Sequence, residues 1–175
     1  MDISSLYTNI PIYDGLRALR YFLKRNAPDD APSVGTLLRL AELVLRLSAF
    51  EFDGRYYKQH KGVAMGTKID PSYACLFVGF VEEQMLQSYH GPKPVLFKRY
   101  IDDYLGISTG SEEDLQDFIA YANFYHPSLN FTHCISSTSV DFLDISISIK
   151  DLGLSTDVFY KPTSSHSYLK CRGVD

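Results

Sequence analysis

The amino-acid sequence predicts an α+β fold in which an antiparallel sheet carries helices packed on one face, and three observations predict it. Leu143, Ile145, Ile147 and Ile149 alternate with Asp144, Ser146 and Ser148, the two-residue repeat of a strand with one wet face. Residues 97–107 set two short apolar runs either side of Asp102 and Asp103, and residues 50–58 set aromatic runs either side of Asp53-Gly54; both are hairpin patterns. Between these strands lie segments whose apolar residues recur every three or four positions, as amphipathic helices require.

Composition sets the outer bounds. A chain of 175 residues with 45% hydrophobic and 22% charged residues is globular, and its length suits one domain with one core. No apolar run approaches the roughly 20 residues of a membrane helix, so no membrane partner is expected. The first residues show no signal-peptide pattern, and Cys75, Cys134 and Cys171 are odd in number and far apart, which argues against a disulfide framework and against a zinc knuckle. An intracellular location, nuclear or cytoplasmic, follows. A net charge of −4 argues against a free-standing nucleic-acid binder, except that a cluster of carboxylates offset by metal is itself acidic.

Taken in order, residues 3–10 read as a strand stopped by Pro11, which cannot donate to a central ladder. Asp14-Gly15 opens a helix with Leu16, Leu19, Phe22 and Leu23 on one face and Arg17, Arg20 and Lys24 on the other, a basic stripe suited to solvent or to backbone phosphate. After a polar linker, residues 37–47 form a helix apolar nearly all round, expected to be mostly buried. The 50–58 hairpin leads into a loop in which Gly62 and Gly66 permit close backbone approach, and Asp70-Pro71 starts a helix that buries Ala74, Phe77, Val78, Val81 and Met85. Residues 91–94 break it. Ser111 caps the next helix, whose Leu115, Phe118, Ile119 and Ala122 face inward, and His126-Pro127 stops it. A short strand at 131–133, the alternating strand and a return after Gly153 complete a single domain over 1–175, with a helical insertion at 13–48 and a C-terminal β-hairpin region at 140–162.

An Asp-Asp bend is by itself an ordinary hairpin loop, because aspartate favours turns locally. A third carboxylate upstream changes its meaning. If the segments of Asp2 and Asp102 share one sheet, their side chains can face a common pair of divalent cations, and the chemistry becomes phosphoryl transfer.

Those residues also carry a resemblance. Asp2, with Tyr7 five positions on and then Pro11, resembles the first palm motif of reverse transcriptases, and Tyr100-Ile101-Asp102-Asp103 is similar to their Tyr-x-Asp-Asp box. Residues 59–71 resemble the loop and helix start under template and nucleotide. With Phe142-Leu143-Asp144-Ile145 and Tyr160-Lys161-Pro162-Thr163 downstream, the wording is most similar to Penelope-like retroelements, relatives of telomerase reverse transcriptase. The resemblance implies an RNA-directed DNA polymerase palm, with fingers and thumb largely missing, that adds deoxynucleoside triphosphates to a DNA primer on an RNA template. It implies two magnesium ions, replaceable by manganese, held by Asp2, Asp102, Asp103 and the carbonyl of Ile3. Tyr7, Met65 and Gly66 then contact the nucleotide, Tyr7 excluding a 2′-hydroxyl, and Gly62, Thr67, Tyr100 and Lys161 contact template or primer. Met65 stands where the common retroelement pattern has glutamine, so the hydrogen bonds of that amide are replaced by a thioether. The competing expectation is an inactive or domesticated retroelement fragment that keeps the fold as a nucleic-acid-binding or relic domain.

Overall fold

The computed structural model describes residues 1–64, 66, 68–150 and 153–161, and the chain divides into two compact units, Met1–His133 and Cys134–Asp175. The sequence reading treats these as one domain.

The first unit is built on a four-stranded antiparallel sheet. Its strands are β1 (Asp2–Ile3), β4 (Leu96–Tyr100), β5 (Asp103–Ile107) and β6 (Phe131–Thr132), in the order β4-β5-β1-β6. Two residues of β1 therefore separate the acidic hairpin from the edge strand. Where the sequence predicts a strand over 3–10, the chain leaves the sheet after Ile3: Ser5 takes φ 54 and a single helical turn, α1 (Leu6–Asn9), follows. Local polar side chains explain the difference, since the Thr8 hydroxyl donates to the Ser5 carbonyl at 3.0 Å and Asn9 Nδ2 donates to that of Ser4 at 3.4 Å. The turn sends Leu6 and Ile10 into the core.

The helix α2 (Ile12–Asn26) begins directly after Pro11, two residues before the expected start, because proline's fixed φ suits a helix entrance. Its buried positions are Gly15 and Ala18 rather than the leucines, which are only half-buried. Gly15 is a close crossing point with α4 (Asp70–Ser88): an added Cβ there would stand 2.1 Å from the Tyr73 hydroxyl oxygen, which donates to the Ile12 carbonyl at 2.8 Å. The helix α4 is the centre of this unit, burying Tyr73, Ala74, Phe77, Val78, Phe80, Val81 and Met85 on several sides, each large side chain contributing about 1.5–3 kcal/mol.

The helix α3 (Val34–Arg46) buries one stripe, Leu38, Ala41 and Leu45, while Leu40, Leu43, Val44 and Leu47 are exposed, so the expectation of a mostly buried helix fails. One neighbouring helix, α2, cannot cover a cylinder apolar on every side. The hairpin β2 (Ala49–Phe52) and β3 (Arg55–Lys58) forms as expected around Asp53 (φ 51) and Gly54 (φ 69), the two positive φ angles of a type I′ turn. It makes its own two-stranded sheet, with Phe52 and Tyr56 largely exposed.

The helix α5 (Glu112–Tyr125) carries the predicted cap as a full capping box between Ser111 and Asp114, and buries Phe118, Ile119 and Ala122. It also pins the edge strand: Asn123 accepts from the Phe131 N–H at 2.7 Å and donates to the Phe131 carbonyl at 3.2 Å, so that side chain satisfies backbone an edge would expose.

The second unit is a three-stranded antiparallel meander of β7 (Ser139–Phe142), β8 (Ile145–Lys150) and β9 (Gly153–Val158). The predicted alternation is present in β8, but Ile145 and Ile149 are 40% and 59% exposed, contrary to an apolar face turned inward. Among the described residues of this unit no helix packs on the sheet, and three short strands alone cannot bury a face.

Candidate active site

The sheet order brings the distant carboxylates together. Asp2 on β1 is the register partner of Asp103 on β5, and Tyr100 pairs with Asp103, so Ile101 and Asp102 form a two-residue turn. The sequence puts the bend at Asp102-Asp103; the structure moves it back by one residue and makes Asp103 the first residue of a strand. Directly opposed residues of an antiparallel pair project to the same face with Cβ atoms about 5 Å apart, which makes Asp2 and Asp103 neighbours. The Ile3 N–H donates to the Asp102 carbonyl at 3.0 Å, and the Tyr104 N–H donates to the Met1 carbonyl at 2.7 Å. These bonds lock the turn against β1.

Electrostatics report the same proximity. Burial, then Asp102, then Asp103 push the Asp2 carboxyl above the ordinary carboxylate range, with the Met1 ammonium opposing. All three aspartates are half-buried, and among the described residues no donor reaches their side chains. Like charges with free lone pairs, half removed from water, are stabilised by a cation. Among the described residues no group of three or more His, Cys, Asp or Glu is placed so that it could hold a metal ion. What the three aspartates offer is carboxylate oxygen, the donor type a hard divalent ion takes when water and substrate oxygens complete its shell. Ile3, the expected carbonyl ligand, has its side chain in the core.

Tyr7, on α1, is half-buried, and its hydroxyl is pushed above the ordinary phenol range by burial first, then by Cys75, Asp102 and Asp70. Of Asp2, Asp102 and Asp103, Asp102 is the one whose field reaches it. Behind it, the Val63 N–H donates to the Tyr7 carbonyl at 2.7 Å, and Gly62 has φ 74 with the Thr8 backbone so near that an added Cβ would lie 2.5 Å from it. The closeness that the sequence assigns to template contact at Gly62 is used here against α1. Gly66 is exposed and donates its N–H to the carboxylate of buried Asp70 at 3.0 Å, which ties the loop to the start of α4. Met65, Thr67, Pro162 and Thr163 lie outside the described residues. Tyr100 is 58% exposed at the end of β4, and Lys161 is an exposed residue of the second unit.

Sequence reasoning missed what stands beneath the turn. Arg99 Nε donates to Glu82 Oε2 on α4 at 2.8 Å, Arg99 Nη1 donates to the Ile101 carbonyl at 3.1 Å, and the Tyr104 hydroxyl donates to the same Glu82 oxygen at 3.1 Å. Burial opposes the Arg99 charge, but Glu82 and its neighbours outweigh burial and hold the guanidinium above its ordinary value. The Tyr104 hydroxyl is driven far up by burial and by Glu82. The signal was present: Arg99 is in phase with Phe97 on the inward side of its strand, and Glu82 interrupts the apolar run of α4. A separate groove of about 540 Å3 lies between α2 and α3, lined by Tyr13, Leu16, Arg17, Arg20, Leu38 and Arg39 among others, and touches none of these residues.

No family model and no curated protein matches the chain. A solved structure does: apo telomerase from Candida tropicalis, truncated from its C-terminal domain, superposes with a TM-score of 0.64 at 15% identity over 89% of this chain and 34% of that one. The chain thus spans about a third of that protein's length. At this identity the likeness shows the fold alone, which is that of the matched third of the telomerase structure. Among the described residues no helix is long and apolar enough to cross a membrane.

Proposed function

We propose that the chain is the palm of an RNA-directed DNA polymerase of a Penelope-like retroelement, with helices on one face of the β4-β5-β1-β6 sheet and catalysis where Asp2 of β1 meets the Ile101-Asp102 turn and Asp103. The observation that carries this reading is the register of Asp2 against Asp103, with the Asp102 turn beside it. Asp2 and Asp102 would hold two magnesium ions, Asp103 the one on the primer side, and the Ile3 carbonyl would add a ligand. When bound, the ions neutralise the phosphates and stabilise the attacking and leaving oxygens of an in-line displacement.

The chain's own groups supply position. Asp2, Asp102 and Asp103 hold fixed negative charge at one end of the sheet, where triphosphate and primer terminus meet. The ring of Tyr7, within the field of Asp102, would fill the space a ribose 2′-hydroxyl needs, so deoxynucleoside triphosphates would be the substrates. Gly66 would line the nucleotide, and Gly62 and Tyr100 would border the RNA template and DNA primer.

Primer extension on poly(rA)/oligo(dT) with magnesium and dTTP, beside manganese titration followed by electron paramagnetic resonance, tests the reading. Incorporation and tight manganese binding, both abolished by Asp102→Asn, support it. Manganese binding that Asp2→Asn and Asp102→Asn leave unchanged would overturn it. Metal binding without incorporation supports the domesticated fragment instead.

A further inference from the structure

The turn that presents Asp102 is built on a residue unsuited to it. Ile101 has φ 56, a left-handed conformation that a β-branched side chain rarely adopts, so the turn persists only if its surroundings hold it. Both of its carbonyls are held. That of Asp102 accepts from the Ile3 N–H at 3.0 Å, and that of Ile101 accepts from Arg99 Nη1 at 3.1 Å. Arg99 is itself fixed to α4: its Nε meets Glu82 at 2.8 Å and its Nη2 the Cys75 carbonyl at 3.4 Å, while the Tyr104 hydroxyl braces Glu82 from the next strand. The Arg99 and Glu82 side chains are 16% and 22% exposed, so water competes weakly for these bonds. Gly79 leaves room for the fork, since an added Cβ would stand 3.3 Å from Nη2.

We propose that Arg99 is a positioning residue: its guanidinium, anchored on Glu82, holds the strained turn in the one conformation that keeps the Asp102 carboxylate beside Asp2. The inference rests on the reading of the three aspartates as metal-holding. Without the fork, Ile101 relaxes to negative φ, the peptide between 101 and 102 rotates, and the Asp102 side chain leaves the set. Lysine keeps the charge but as a single ammonium, without the planar fork that reaches Glu82 through Nε and the Ile101 carbonyl through Nη1.

The test is manganese affinity by electron paramagnetic resonance, with thermal melting to verify the fold, on Arg99→Lys, Gly79→Ala, Arg99→Lys/Ile101→Gly and Asp102→Asn. Partners that orient metal ligands typically contribute 10–100-fold to affinity, so Arg99→Lys should weaken binding at least about tenfold. Glycine adopts positive φ freely, so Ile101→Gly should restore most of that loss; a role in general stability would not be rescued this way. Gly79→Ala keeps every charge, crowds Nη2 and gives a smaller loss, which is the readout should Arg99→Lys fail to fold. Wild-type affinity in folded Arg99→Lys or Gly79→Ala, with binding lost in Asp102→Asn, overturns the proposal and spares the metal site. Wild-type affinity in Asp102→Asn overturns both.

Discussion

Replacing Asp2 with asparagine should stabilise the metal-free protein while removing its response to metal. The register with Asp103 puts two unit charges about 6 Å apart. Their repulsion is about 0.7 kcal/mol at the dielectric of water and about 2.8 kcal/mol at an effective value of 20. Both side chains are half-buried, so a figure of about 1 kcal/mol is expected after screening, or roughly 3 °C in melting temperature for a chain of this size. The sign with pH follows from the direction of the Asp2 shift. A carboxyl raised in the fold favours folding when protonated, so the wild type loses stability as pH rises from 3.8 through the folded value. The advantage of Asp2→Asn is therefore full at neutral pH and absent below 3.8. Melting in EDTA and in manganese chloride at pH 7.5 and 3.5 measures it. The wild type should gain from manganese and the variant should not. A variant equal to or less stable than wild type in EDTA at pH 7.5 would refute the convergence of these charges.

Three further outcomes are expected. Gly62→Ala should cost about 1–2 kcal/mol for left-handed backbone alone, and more from overlap with Thr8, freeing the loop from α1; amide exchange at Val63 reports this, and unchanged protection there would count against it. His126 is held below its ordinary 6.5 by burial, with Asp14 opposing at 3.8 Å, and its Nδ1 accepts from the Ser128 N–H at 3.2 Å. A lowered histidine contributes stability above pH 6.5 that is lost as pH falls through the folded value, so the melting temperature should drop between pH 7.5 and 5.5 and should drop less in His126→Phe; equal slopes would exclude this histidine. Tyr7→Ala should admit ribonucleotides in a single-addition assay, where unchanged discrimination would remove Tyr7 from the sugar contact.

Much of the fold was legible because its signals are local. The Asp53-Gly54 turn, the Ser111 cap and the apolar stripe of α4 are each decided by a few adjacent residues, and each appears as the sequence predicts. The acidic hairpin was legible to within one residue. The choice between Ile101-Asp102 and Asp102-Asp103 as the bend depends on the Tyr100–Asp103 pairing and on who holds the Ile101 carbonyl, and propensity would not put isoleucine at positive φ.

The sequence by itself determined which residues could do chemistry: three aspartates, two of them adjacent in a hairpin, with a tyrosine downstream of the first. Only the tertiary structure decided that β1 lies between β5 and β6, which turns a separation of a hundred residues into a register pair. It also decided that Arg99 and Glu82 face inward as a brace, that Gly62 closes on Thr8, and that one side of α3 is left bare. The reason is common to all four. Local propensity fixes the shape of a segment within a few residues, whereas the partner that buries or pairs it is chosen by the long-range closure of the sheet around α4.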